Sequence, residues 1–188
     1  MSVFTSLFSS GQKSVLGVDI GTTSIKVAEI GRRENHLHLL NYAILETSGY
    51  LDRFNEALQT STLKLSEESI PSYLRLLVER AGISAKHAVA SVPAFLAFST
   101  LIETPPMSDA ELKRFIELQA KQYIALPMSA VSLDWMRIGE RADGAGGVKQ
   151  QVLLVSIPND QIERYRKVFT AAGLALTSVE IEGMSLAR

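Results

Sequence analysis

The sequence predicts a mixed α+β protein: an N-terminal antiparallel sheet subdomain with one helix, plus an inserted β-α-β-β-α-β module. Three observations carry this. The chain opens on three apolar runs divided by short polar turns, at 15–20, 25–30 and 36–46. A run with helical spacing then leads into a short fourth strand at 87–92. From Phe95 onward the apolar period alternates in the order strand, helix, strand, strand, helix, strand. That order packs two helices on one sheet.

The first two runs, Val15–Ile20 and Ile25–Ile30, form a hairpin about Gly21-Thr22-Thr23-Ser24. The third, His36–Glu46, follows the polar turn Gly31-Arg32-Arg33-Glu34-Asn35. His36 and His38 alternate with Leu37 and Leu39, and no further ligand lies at metal spacing, so a solvated strand face accounts for them. Residues 47–65 read as loop, with one short helical turn around Leu51, Phe54 and Leu58. The spacing of Ile70, Tyr73, Leu74, Leu77, Val78 and Ala81 predicts a helix ending at Gly82. Pro71 fixes its start, because proline is tolerated only in a first turn.

Pro93 stops the strand 87–92, and Pro105-Pro106 stops the next, Phe95–Glu103. Ser108-Asp109-Ala110-Glu111 is a capping box, with Met107 and Leu112 placed as a hydrophobic staple. The helix it opens is expected to reach Ala125 and to bury Leu112, Phe115, Ile116 and Tyr123. Strands at 131–139 and 151–157 flank a polar, glycine-rich hairpin loop, 140–147. A helix capped by Asn159 runs to Ala172, Gly173 ends it, and 174–181 is a last strand.

Composition narrows the function. The chain has 188 residues, 46% hydrophobic and 21% charged, which describes an ordinary globular protein. A net charge of −1 with no basic block gives little pull toward nucleic acid or anionic lipid. The absence of cysteine excludes disulfides, thiol catalysis and cysteine-ligated metal sites. Residues 1–13 carry Phe4, Leu7 and Phe8 without a basic n-region, and read as a flexible leader.

The chemistry concentrates in the hairpin. Gly21 relieves the turn, Thr22, Thr23 and Ser24 bring hydroxyls and amide N–H groups to one corner, and Asp19 and Lys26 flank it. Clustered N–H groups and hydroxyls cradle an anion, and a nearby carboxylate suits a hydrated Mg²⁺. The alternative for Lys26 is a solvated lysine on an amphipathic strand. His87 has no evident partner, and Trp135 alone on a strand reads as core.

The D-x-G-T-T run, Asp19 to Thr23, between two apolar strands resembles the first phosphate loop of the actin/sugar kinase/heat-shock ATPase superfamily. The whole then resembles a partial actin-like fold, with the insert similar to the SHS2-like modules of the FtsA and PilM families. Local runs favour the PilM family of type IV pilus proteins. Glu117 to Pro127 resembles its helix ending in E-x-x-x-Y-I-P-x-P, with Ala125 where proline is usual. Val131-Ser132-Leu133-Asp134 resembles its V-x-L-D strand, and Ser91-Val92-Pro93 and Leu101 to Pro105 resemble its strand endings.

After the leader at 1–13, the resemblance implies a first actin-like subdomain at 14–93, the insert at 94–180, and at 181–188 a helix returning to the first subdomain. It implies ATP and Mg²⁺ in full-length members, with Asp19, Gly21, Thr22, Thr23, Ser24 and Lys26 at the phosphates and Asp19 holding Mg²⁺ through water. It implies a cytoplasmic scaffold at the inner membrane, holding the cytoplasmic tail of a PilN-like membrane protein. Candidate tail contacts are Val89 to Leu101 and the helix 109–125, with the lining side chains unassigned. Members run longer, through a second lobe with another D-x-G loop and a glycine pair. Asp143 to Gly147 does not replace that loop, because it joins two strands and opens no helix. The chain is therefore expected to be a fragment or a shortened relative, with weak ATP binding and no hydrolysis of its own. An FtsA-like filament former and a sugar kinase are the alternatives, and the insert argues against the kinase.

Overall fold

The computed structural model describes residues 14–34, 36–46, 68–143 and 146–187. The leader and the helical turn expected near Leu51, Phe54 and Leu58 lie outside the described residues. In chain order the elements are β1 (Ser14–Ile20), β2 (Ser24–Arg33), β3 (His36–Glu46), α1 (Ile70–Arg80), β4 (His87–Val92) and β5 (Phe98–Thr104). Then come α2 (Asp109–Tyr123), β6 (Val131–Ala142), β7 (Val148–Pro158), α3 (Asn159–Ala171), β8 (Ala175–Ile181) and α4 (Glu182–Ala187). The chain divides into two compact units, Met1–Pro93 with Arg164–Arg188, and Ala94–Glu163.

The first unit holds a five-stranded sheet in the order β3-β2-β1-β4-β8. β1, β2 and β3 pair antiparallel, while β4 runs parallel to β1 and β8 parallel to β4. Strand alternation sends Leu16, Val18, Ile20, Ile25, Val27, Ala88, Ala90 and Val92 into a buried face. Ile70, Leu74 and Leu77 of α1, and Tyr165 and Phe169 of α3, are buried in the same unit. Pro71 sits in the first turn of α1, and Gly82 follows its end at φ 63°, where a side chain would be strained.

The last strand departs from the sequence expectation. Residues 174–181 were expected in the insert, yet β8 extends the first sheet beside β4. Its register shifts at Ala88/Val89, and the Thr177 hydroxyl there donates to the Ala88 carbonyl at 2.9 Å. Alternating apolar residues specify a strand but not its partner. The insert is accordingly a β-α-β-β unit, and α3 leads back to the first sheet.

In the second unit, β5, β7 and β6 form an antiparallel sheet in that order. Leu112, Ile116 and Ala120 of α2 pack with Ile102, Ile124, Val131, Val152 and Leu154. The capping box forms as expected: Ser108 Oγ accepts from the Glu111 N–H, and the Glu111 carboxylate accepts from the Ser108 N–H at 2.9 Å. Met107 packs against the cluster that holds Leu112. Tyr123 is 44% exposed, because Ala120 and Ile124 take the buried positions at the end of the helix. Residues 94–96 form a short 3₁₀ turn ahead of β5, where a strand from Phe95 was expected.

Asn159 does not spend its side chain on its own helix: it accepts from Ser132 Oγ at 2.8 Å and donates to the Ser129 carbonyl at 3.0 Å. At the β6–β7 tip, the Asp143 N–H donates to the Gly147 carbonyl at 3.0 Å and the Gly147 N–H to Asp143 Oδ1 at 2.8 Å. These residues close a hairpin, as their place between two strands predicts. No helix among the described residues is long and apolar enough to cross a membrane.

Candidate functional site

The β1–β2 hairpin brings the expected residues to one end of the first sheet. Asp19 and Lys26 face each other in register, and Ile20 pairs with Ile25, leaving Gly21 to Ser24 as the tip. The Gly21 N–H donates to the Ser24 carbonyl at 2.9 Å and closes the turn. That N–H is consumed within the hairpin, so any anion must be met by the Thr22 and Thr23 end. Thr22 and Thr23 are exposed, while Gly21 and Ser24 are partly buried. A Cβ on Gly21 would stand 3.2 Å from the Ser24 carbonyl oxygen. Close approach across the turn, rather than a positive φ, therefore favours glycine there.

Asp19 is engaged on both oxygens. Lys26 Nζ lies 3.1 Å from Oδ2, and the Ser91 hydroxyl donates to Oδ1 at 3.2 Å. Parallel pairing of β1 with β4 sets Ser91 beside Asp19. The two residues are 72 apart in sequence, and only the Ser91-Val92-Pro93 strand ending hinted at the position. The exposed tip hydroxyls and the Lys26 ammonium fit a polyanion. A hydrated Mg²⁺ fits at Asp19 only if Lys26 moves away. No group of three or more His, Cys, Asp or Glu able to hold a metal occurs among the described residues.

The same sheet face carries an apolar cleft of about 400 Å³. Gly17, Ala28, Tyr42, Ile44 and Val89 line it, with Asp19 and Lys26 also contributing. Tyr42 and Ile44, on the edge strand, are 68% and 56% exposed.

Two buried polar groups escaped the sequence reading. Glu29 is fully buried. Its carboxylate accepts from Ser14 Oγ at 2.7 Å, Asn41 Nδ2 at 2.8 Å, Ser84 Oγ at 2.9 Å and the Ala85 N–H at 2.9 Å. Burial pushes its pKa up, but the hydrogen bonds from Asn41, Ser14 and Ser84 outweigh burial and hold it at about 2. The Tyr165 hydroxyl is buried and has no hydrogen-bond partner among the described residues. Burial, with the negative charge of Asp19 adding to it, pushes that phenol up to about 12. A polar residue at an apolar position of β2 was the visible signal for Glu29; nothing in the sequence marked Tyr165.

His36 and His38 are exposed on β3, as a solvated strand face predicts. Trp135 packs against the core of the second unit, with the Arg137 guanidinium 5.9 Å from its ring centroid. Arg137 also pairs with Asp109 and donates to the Met107 carbonyl at 2.8 Å, which ties β6 to the start of α2.

The family model described as type IV pilus assembly protein PilM matches residues 17–188. A solved PilM–PilN type IV pilus biogenesis complex is similar in fold, with TM-score 0.70 and 18% identity, over 91% of this chain and 48% of that one. The chain thus spans about half the length of that relative. The cytoplasmic domain of EpsL, an inner-membrane component of the type II secretion system of Vibrio cholerae, matches at TM-score 0.49 and 14% identity, over 88% and 56%. A Bacteroides thetaiotaomicron protein with an actin-like ATPase fold matches at 0.42 and 10%, over 99% and 57%.

Proposed function

The chain belongs to the type IV pilus assembly protein PilM family, and on that premise we propose that it serves the inner-membrane platform as a scaffold for the cytoplasmic tail of a PilN-like protein. The observation that carries this reading is the family match over 17–188. The likeness in fold to a chain of a PilM–PilN complex supports it. The protein then works in the cytoplasm and reaches the membrane through its partner.

The tail binds as an extended peptide on the surface of the insert, along residues 94–101 and α2. Phe95, Leu101 and Leu118 are exposed there, which is the kind of side chain a peptide covers. Residues 14–93 with the returning stretch 164–188 form the first actin-like subdomain, and the insert carries peptide specificity.

The hairpin is one half of a nucleotide clamp. ATP with Mg²⁺, when bound to full-length members, supplies the polyphosphate that such a hairpin holds. Thr22, Thr23 and Ser24 would hold the phosphates from the tip, Lys26 would supply the positive charge, and Asp19 would orient a hydrated cation. We assign no hydrolytic step to this chain, since one hairpin does not position an attacking water.

A pull-down with the N-terminal tail of a PilN-like protein, run beside sedimentation with ATP, tests this reading against the FtsA-like one. Retention of the tail without pelleting is expected. ATP-dependent filaments with no tail retained would overturn the pilus reading in favour of a filament former.

A further inference from the structure

We propose that Asp19 holds Lys26 in reserve, so that a polyphosphate reaches Lys26 only by taking it from Asp19. This rests on the phosphate reading of the hairpin given above. Asp19 and Lys26 are direct cross-strand partners, with Nζ 3.1 Å from Oδ2. Ser91 fixes the other carboxylate oxygen from β4. The carboxylate is thus clamped on one side and gives up Lys26 on the other. The lysine is the more exposed partner: its side chain is 53% exposed against 31% for Asp19.

Two consequences follow from one exchange. Lys26 on a phosphate leaves Asp19 Oδ2 without its cation, and that vacated oxygen is then free for a hydrated divalent ion. Conversely, a cation at Asp19 releases Lys26 toward phosphate. Metal and polyphosphate each bind weakly alone and favour each other, because each removes the competitor of the other. The ceiling on this coupling is the strength of a half-exposed ion pair, which limits the effect to about two- to five-fold at low salt and less as salt screens it.

Metal-free titration with tripolyphosphate in EDTA, read by calorimetry, isolates the lysine. The variants are Asp19→Asn, Lys26→Met and the two combined, with folding checked by circular dichroism. Asparagine keeps an oxygen for Ser91. The expected result is a gain of about two- to five-fold for Asp19→Asn, a loss for Lys26→Met, and a smaller gain for Asp19→Asn once Lys26 is gone. An equal gain in both backgrounds would mean simple repulsion by Asp19, and the reserve proposal would fall while the phosphate site stood. No gain would also overturn it. If neither the natural chain nor Asp19→Asn binds tripolyphosphate, the phosphate reading itself fails and the exchange with it.

Discussion

The Glu29 carboxylate accepts a hydrogen bond from the Ala85 N–H at 2.9 Å, which ties the middle of β2 to the segment leading from α1 into β4. Ser14 and Asn41 bind the same carboxylate from β1 and β3. One buried anion thus gathers three adjacent strands and a connection through hydrogen-bond donors.

This gives a pH dependence with a definite sign. Burial alone would raise the Glu29 pKa, but the hydrogen bonds from Asn41, Ser14 and Ser84 hold it at about 2, below the ordinary 4.5. Its contribution to stability is complete above about 4.5 and is lost as pH falls toward 2. The shift corresponds to about 3 kcal/mol. Urea unfolding at pH 7 and pH 3 should show the loss, and Glu29→Gln should remove most of that difference while destabilising the protein at pH 7. An unchanged pH dependence in Glu29→Gln would contradict the assignment.

Tyr165 gives a prediction of the opposite sign. Its hydroxyl is buried and unpartnered among the described residues, and its ring stacks near Phe169 at 6.4 Å between centroids. Tyr165→Phe keeps the ring and removes the orphaned polar atom, so it should stabilise by about 1 kcal/mol. Denaturant midpoints measure this, and a clear loss of stability would reveal a hydrogen bond to that hydroxyl.

Ser108→Ala should cost about 1 kcal/mol, because it removes the acceptor for the Glu111 N–H at the start of α2. Ser108→Asp should retain most of that stability, as another good N-cap. Thermal unfolding of the two variants separates the cap from a general effect of substitution.

Much of this fold was legible in the sequence because local chemistry decided it. Pro71 and Gly82 bounded α1, Ser108 and Glu111 opened α2, and alternation gave β3 its limits, His36 and Glu46. What escaped depended on pairing across distance. Nothing in 175–181 says that β8 lies beside β4, and nothing near Asp19 says that Ser91 will reach it. Asn159 looked like a cap because asparagine commonly is one, yet Ser129 and Ser132 engaged its side chain. The β1–β2 hairpin forms where expected, but the partners of its side chains were not foreseen. The Asp19–Lys26 contact turns two separate candidates into one coupled group.

In the proposed function, this PilM-family chain receives the tail of a PilN-like membrane protein. Fluorescence anisotropy of a labelled N-terminal tail peptide, titrated with the protein, tests it most directly. Saturable one-to-one binding is expected, which an unlabelled tail competes away and a scrambled tail does not. A folded protein that leaves the tail unbound, or binds the scrambled peptide equally, would contradict it.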